Sequence, residues 1–481
     1  LFVCSLSSFL QSQRNFYFED STMIRKHLYR YVAAAMLCVT SAFTLGSCSS
    51  ALDPNINISP NAPTDVPVGI ILPTIQGSLA YALGGDLGRY TSLITQHNRG
   101  VDRQHTNLYR FQIQEADVNN LWNTLYAGSM TDLTRLIQKA NEQNLPAYRG
   151  IARTLLALAL GNATDVWNDI PFSEAFRGIE NTAPRYDAQE QIYNRIQSLL
   201  DSAIIDLTAA NPGSIVPGPT NDLMMGGNRA NWARVARTLK ARYALHLSKV
   251  NRMQAAQNAL AALAGGNAIA SNAQDLQFTF GTGPTTANPL FQFMSQRNDI
   301  RVGFQLVNMM NALNDPRRPR YYRGTTVEAP PGDFVAAIDA PVIFTSYMET
   351  KFIEAEANAI LGNNDAARAA YLEAVRASLT KVGVSAADQM TYLAQPTVTP
   401  MGAPTIQQII EQKYIALYMQ AETFVDWRRT GFPMIDPTRA VAGATLAMVP
   451  RRFPYPQDER LNNTNFPGEV PITSRVWWDR P

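Results

Sequence analysis

The sequence predicts a mainly α-helical fold: tetratricopeptide-like helical hairpins forming a scaffold, with a second, irregular, loop-rich lobe built from insertions. Three observations predict it. Apolar residues recur at i, i+3 and i+4 through much of the chain, the spacing that gathers them on one helix face. Several of these stretches close on a glycine paired with asparagine or a second glycine, residues that end helices by adopting the left-handed conformation. Strand-like alternation is scarce and local, and some of the helices are separated by stretches too long for ordinary connections.

In chain order the spacing predicts helices over 68–84, 86–99, 116–143 and 147–161, the last stopping at Gly161-Asn162. Helices follow over 188–210, 230–250 and 253–264, with a stop at Gly265-Gly266. The remaining ones are 300–313, 343–361 (stopping at Gly362-Asn363), 364–380 and 405–424. A tetratricopeptide unit sets large, aliphatic and small residues at fixed offsets so that two helices pack closely. Tyr148-x₂-Ile151-Ala152-x₂-Leu155 and Trp232-x₂-Val235-Ala236-x₂-Leu239 fit its first helix, and Ala367-x₃-Tyr371-x₂-Ala374 fits its second. The stretches 165–186, 211–229, 267–299 and 314–341 are rich in Pro, Gly, Asn and aromatic residues. Loops of that length in a compact domain are usually functional.

Ahead of the helices lies a secretory signal. The cysteines are Cys4, Cys38 and Cys48, and Cys48 closes the run Leu45-Gly46-Ser47-Cys48. A basic stretch (Arg25, Lys26, His27, Arg30) and an apolar segment, Val32 to Leu45, precede it. That segment is too short to span a bilayer as a stable helix, and small residues mark the cut. A cysteine at the cut makes 23–47 a bacterial lipoprotein signal, with lipid accepted by the Cys48 thiol. Met23 is the expected start, which leaves 1–22 as a gene-model extension. Residues 48–67, with repeated Pro, Asn, Ser and Asp, are expected to be a flexible tether from the lipidated cysteine, and 68–481 the α-helical folded domain. No further apolar stretch of eighteen or more residues follows, so the expectation is attachment by acyl chains without a crossing.

Residues 1–47 hold four Lys/Arg and two Asp/Glu, which leaves 37 of each sign beyond them and a formal charge of zero. A nucleic-acid partner, which calls for a clustered basic excess, is therefore not expected. Motifs for nucleophilic hydrolysis, metalloprotease zinc, phosphate loops and dinucleotide turns are absent, so no catalytic residue is assigned. Four histidines, spread along the chain, and no cysteine past Cys48 make a zinc site unexpected. The sequence calls for no cofactor beyond the lipid, and nothing in it supports calcium. Glu354 and Glu356 sit two apart on a helix and point to different sides, so they do not form a glycosidase pair. The aromatic residues of the irregular stretches carry the better signal, because sugar rings stack their C–H faces on aromatic rings while Asn, Gln, Asp and Arg bond the hydroxyls. Trp122 and Tyr126, four apart on a helix, read as core, and Phe278 and Phe280 alternate like a short buried strand.

Three C-terminal segments are distinctive: Ile409-Ile410-Glu411-Gln412-Lys413-Tyr414 followed by Glu422-Thr423-Phe424-Val425-Asp426-Trp427-Arg428-Arg429-Thr430-Gly431; Asn314-Asp315-Pro316-Arg317; and Val449-Pro450-Arg451-Arg452-Phe453-Pro454. With Tyr347-Met348-Glu349-x₂-Phe352-Ile353-Glu354-Ala355-Glu356 and Gly161-Asn162-x₂-Asp165-x₃-Asp169-Ile170-Pro171-Phe172, the chain resembles the SusD/RagB family over nearly the whole length beyond the signal. Asp426, Arg428 and Arg429 can pair with the acids of 349–356, which reads these segments as determinants of the fold.

The resemblance implies a non-catalytic, lipid-anchored protein of the Bacteroidetes outer membrane, facing the cell exterior. It would bind oligosaccharides, or in some members peptides, and deliver them to a SusC-like TonB-dependent transporter. In that family the helical repeats face the transporter and the insertions bear ligand. By that logic 267–299 and 314–341, with 165–176 as a weaker third, supply the candidate ligand residues: Trp167, Asn288, Phe291, Phe293, Arg297, Tyr321 and Tyr322. Two other classes remain open on the residues alone, a surface glycoside hydrolase and a ligand-free helical-repeat scaffold.

Overall fold

Several helices begin where the sequence supplies a side-chain oxygen for their first free N–H groups, and three end where glycine turns left-handed. The computed structural model describes residues 66–324, 326–435, 437 and 449–481. Cys48, the signal and almost all of the expected tether lie outside the described residues. In chain order the helices are α1 (Val68–Ala82), α2 (Gly88–Ile94), α3 (Arg103–Tyr109), α4 (Asn119–Leu125), α5 (Thr131–Glu142), α6 (Pro146–Trp167) and α7 (Gln189–Thr208). Next come α8 (Arg229–His246), α9 (Arg252–Leu263), α10 (Pro289–Gln296), α11 (Phe304–Ala312), α12 (Arg318–Tyr321) and α13 (Asp333–Ala336). The C-terminal part carries α14 (Tyr347–Leu361), α15 (Asn364–Val382), α16 (Ala386–Leu393), α17 (Ile406–Ala416), α18 (Glu422–Thr430) and α19 (Gln457–Asn462). Asn228, Asn251 and Ser346 cap α8, α9 and α14, while Gly362, Gly383 and Gly431 close α14, α15 and α18 at positive φ.

The scaffold is a run of helices packed neighbour on neighbour. α6 packs along α7, α7 on α8, α8 on α9, α9 on α14, and α14 on α15. The motif residues Tyr148, Trp232, Leu239, Ala367 and Tyr371 are all buried between these helices. The hairpins α6–α7, α8–α9 and α14–α15 are therefore the tetratricopeptide-like units that the spacing predicted. The insertion between α9 and α14 is closed at its base by an antiparallel pair, β4 (Leu276–Phe278) with β6 (Val342–Thr345). It builds its own core from Leu290, Val302, Leu306, Met310, Tyr321 and Tyr322, packed against Tyr414 and Tyr418. A second pair clips the start of the chain to this lobe: β1 (Asn98–Gly100) lies antiparallel to β5 (Ile300–Val302). The third, β2 (Ile170–Pro171) with β3 (Tyr186–Asp187), folds the 165–186 stretch back on itself.

Three expectations needed correction. Gly161-Asn162 does not stop α6, which runs on to Trp167. Gly161 is required there by packing, since a Cβ would sit 2.2 Å from the Tyr243 hydroxyl. The predicted helices 86–99 and 300–313 each lose an end to the β1–β5 pair, and 343–361 loses its first residues to β6, because strand pairing satisfies the backbones there. The predicted 405–424 helix splits into α17 and α18 around Met419, whose φ is 68°. Helices α3, α10, α12, α13, α16 and α19 lie where no helix was predicted; at eight residues or fewer they hold too few turns for periodicity to register.

A buried charge network joins the C-terminal helices to the scaffold. Arg429 on α18 bonds Glu356 on α14 (2.7 and 2.9 Å) and Asp426 (2.6 Å), and Lys413 on α17 forms an ion pair with Asp426 at 2.8 Å. Arg242 on α8 forms a bidentate pair with Glu349 at 2.5 Å. His246 bonds Glu422 at 2.9 Å through one ring nitrogen and Tyr193 at 2.9 Å through the other. Arg428 takes no part in the pairing with the acids of 349–356; it donates to the Asp165 and Arg451 carbonyls and stacks on Trp478. Buried charges of this kind are tolerable only when paired and hydrogen-bonded, which explains why the residues come as a set.

Candidate functional site

The seven candidate ligand residues separate by burial. Trp167 is sealed in the scaffold, where its indole N–H donates to the Pro454 carbonyl at 2.9 Å and its ring meets Trp122 edge-on at 4.9 Å. Tyr321 and Tyr322 lie in the core of the insertion lobe, Tyr321 stacked on Tyr418 at 5.1 Å. Asn288 is a buried helix cap that accepts from the Leu290 and Phe291 N–H groups and donates to the Ala340 carbonyl. These four are structural in position: aromatic residues in an irregular stretch still pack inward when the stretch has a core of its own. Phe291 is half-buried on α10. Phe293 and Arg297, at the end of the same helix, line an open cleft of about 240 Å³.

The cleft lies between the α1–α2 junction, α3 and α10, and each wall has a local cause. α1 passes into α2 through a π turn, Leu83–Leu87, in which Gly85 leaves helical geometry (φ −91°, ψ −113°). Such turns inside helices are frequent at functional sites. This one carries Asp86, whose carboxylate accepts from Asn120 at 2.6 Å and pairs with Arg89 one turn on. The β1–β5 pair brings α3 beside 297–299, continued by the Val101 N–H donating to the Asp299 carbonyl at 2.8 Å. Gly100 permits the tight return into α3, because a Cβ there would fall 1.8 Å from the His105 carbonyl oxygen.

Phe293 sits at the centre. The Arg89 guanidinium lies over its ring at 4.4 Å and the His105 ring lies at 4.6 Å. Tyr81, 51% exposed, presents the open aromatic ring of the lining. Gln104, Gln292, Gln296 and Arg297 supply planar polar groups around it. His105 is 2% exposed, and neither ring nitrogen has a hydrogen-bond partner. Burial, with the Arg89 charge adding to it, pushes its pKa down to about 4, so the imidazole is neutral near pH 7. Burial also raises the Tyr90 phenol, whose O–H donates to the Asp117 carbonyl at 3.1 Å.

Chemically this is a place to hold a ring, not to cleave a bond. Asp86 is the carboxylate of the lining and is already engaged by Arg89 and Asn120, whereas glycoside cleavage needs two positioned carboxyl groups. A second open hollow of about 340 Å³ is lined by Trp122, Tyr126 and Phe176 with Arg135 and Glu459. A cleft of about 600 Å³ between 111–116 and 466–473 has its arginine, Arg460, paired with Glu115 at 2.6 Å. A cavity of about 70 Å³ lies against Arg242 and Glu422 of the charge network. Among the described residues no group of three or more His, Cys, Asp or Glu is arranged to hold a metal ion.

Sequence reasoning missed Tyr81, Asp86, Arg89 and the role of His105 in this cleft, because they fall on segments read as scaffold helices or beside them. The available signal was Gly84-Gly85-Asp86, two glycines and an acid inside an otherwise apolar helix.

Comparison with known proteins places the chain. Residues 60–456 match the model of a SusD-like family described as starch-binding and associating with the outer membrane. A SusD/RagB family protein from Bacteroides thetaiotaomicron superposes with a TM-score of 0.73 at 23% identity, covering 86% of this chain and 99% of that one. A chitin-binding SusD homologue from Flavobacterium johnsoniae gives 0.70 at 21% identity, over 86% and 97%. A SusD homologue from Bacteroides uniformis gives 0.69 at 22% identity, over 87% and 100%. No curated protein matches the chain. With helical hairpins, an insertion lobe and a family match that runs through both, the chain belongs to the SusD-like family of non-catalytic proteins associated with the outer membrane.

Proposed function

We propose that this protein captures oligosaccharides at the outer face of the outer membrane and passes them to a SusC-like TonB-dependent transporter. Lipid on Cys48 would hold it there. The observation that carries the reading is the cleft between α1–α2, α3 and α10: an open tyrosine ring, Tyr81, surrounded by an Asp86–Arg89 pair, three glutamines and Arg297. Stacking on the ring and hydrogen bonds from planar groups are the two interactions a sugar offers. The family description and the chitin-binding relative support the same ligand class. Of the residues first considered, Phe293 and Arg297 remain as ligand-site residues, joined by Tyr81, Asp86 and Arg89.

Binding on such a surface is preorganised, so little ordering has to be paid on capture, and a single stacked ring keeps affinity low enough for release to a transporter. The test is calorimetry or affinity gels on the chain from Ser49 onward with starch, chitin, other polysaccharides, their oligosaccharides and peptides, with product analysis on the same samples. Saturable binding of a glycan without cleavage supports the proposal. Binding of peptides only would overturn the ligand class, and cleavage products would overturn capture as the mechanism.

A further inference from the structure

We propose that the hollow at the end of α4 is a second oligosaccharide site on this chain, where a sugar ring stacks beside Tyr126 and Phe176 and bonds Arg135 and Glu459. The inference takes its ligand class from the proposed function and adds a site separate from the cleft.

Trp122 and Tyr126 stack with ring centres 4.3 Å apart and planes 19° from parallel, and Phe176 lies near-parallel to Tyr126 at 6.0 Å and 22°. Trp122 is buried, whereas Tyr126 and Phe176 are half-buried. All three line the open hollow, which at about 340 Å³ exceeds the cleft at about 240 Å³. The lining adds a donor and an acceptor to these rings. The Arg135 side chain is 63% exposed, with Asp132 3.6 Å away. Glu459 accepts from the Tyr186 O–H at 2.6 Å and from Asn463 at 3.0 Å, both on Oε2, which leaves Oε1 without a hydrogen-bond partner among the described residues. Rings partly open to a hollow, with a guanidinium and a carboxylate oxygen beside them, meet the C–H faces and the hydroxyls of a sugar.

The chain holds Phe176 in this place. Asp187 accepts from the Phe172 and Ser173 N–H groups at 2.8 Å each, and Glu174 accepts from the Arg185 backbone at 3.1 Å and side chain at 2.8 Å. Inside the loop closed by these ties, Phe176 adopts a left-handed backbone (φ 65°), which bulky residues seldom do. Strain of this kind gathers at positions that hold ligands. Tyr126 itself opens a π turn, Tyr126–Met130, as the α1–α2 junction does beside the cleft. α4 stands between the two places. Asn120 bonds Asp86 of the cleft at 2.6 Å, whereas Trp122, two residues on and about 200° around the helix, lines the hollow. The 165–186 stretch, aromatic and too long for a plain connection, thereby acquires a role that the cleft does not give it.

The experiment titrates the purified full chain and its Phe176→Ala, Phe176→Tyr and Tyr81→Ala variants with maltohexaose and chitohexaose by calorimetry. Two equivalents of at least one hexaose should bind the wild type. Phe176→Ala should weaken one of them by about tenfold or more and leave the other. Tyr81→Ala should do the reverse, and Phe176→Tyr, which keeps the ring, should retain both. Because Phe176→Ala can loosen its loop, hydrogen exchange of the wild type supplies a second readout: amides of 173–181 should exchange more slowly on saturation with that hexaose. A single equivalent lost in Tyr81→Ala and kept in Phe176→Ala, or unslowed exchange over 173–181, overturns the second site and leaves the cleft standing. A single equivalent lost in Phe176→Ala and kept in Tyr81→Ala upholds the hollow and overturns the cleft as the place of capture. No hexaose binding to wild type overturns both.

Discussion

At Trp167 the indole is sealed and hydrogen-bonded to the Pro454 carbonyl, whereas Tyr81 on α1 keeps half of its surface open to the cleft. The two therefore answer differently to truncation. Trp167→Ala should lower stability by ~3–5 kcal/mol, the cost of emptying a large buried site, as read by denaturant unfolding. Tyr81→Ala should change stability by no more than about 0.5 kcal/mol and weaken glycan binding by about tenfold or more, as the loss of a stacking anchor does. His246 carries a buried charge that titrates within an accessible pH range. Burial opposes its protonation, but Glu422 and Asp165 overcome that and hold its pKa up at about 9. A histidine raised in this way stabilises the fold fully below its unfolded value near 6.5 and loses that contribution as pH rises through 9. Stability should thus fall by up to about 3 kcal/mol between these limits, and His246→Gln should flatten that slope in urea unfolding measured across the range. None of these roles is legible in residue type. Trp167, Tyr321 and Tyr322 look like surface aromatics in a loop-rich stretch until the partners that bury them are known, and Tyr81 looks like one more apolar position on a scaffold helix.

At the scale of elements, α6 separates propensity from packing. Gly161 lies in the helix interior, where alanine is intrinsically better by about 1 kcal/mol. In this fold its Cβ would collide with Tyr243 of α8, so Gly161→Ala should destabilise by ~1–3 kcal/mol, as overpacking does. A thermal melt of the variant decides between the two, and a raised melting temperature would show that α6 and α8 can move apart. The hairpins α6–α7, α8–α9 and α14–α15 were legible because each carries complete helical turns with large and small residues at fixed offsets. The strands were not, since β1 and β5 are three residues each and exist only through their pairing across 200 positions of sequence. The cleft inherits this difficulty. α10 and Phe293 lie in a stretch recognised as functional, but the walls from α1–α2 and α3 become visible only once β1 has joined β5.

For the whole molecule, the proposed function joins an N-terminal lipid signal to the folded body Pro67–Pro481. Cys48→Ala should abolish incorporation of radiolabelled palmitate in the bacterium and release the protein from the membrane fraction, while leaving glycan binding by the purified chain intact. Retention of both label and membrane association would show that Cys48 is not the lipidated residue. The charge network linking α8, α14, α17 and α18 acts at the same scale, because it ties segments 73 to 176 residues apart into one core.

By itself the sequence determined the helical class, the repeat hairpins and the family, because periodicity, turn residues and the order of signature segments are local properties of the chain. The signatures around 314–317, 347–356 and 422–431 proved to be the paired buried charges of the core, so what makes the family recognisable says little about its ligand. Only the tertiary structure decided which aromatics face solvent, which charges are already paired and where three distant segments enclose an open cleft. Those are consequences of long-range packing and desolvation, and no short window of sequence contains them.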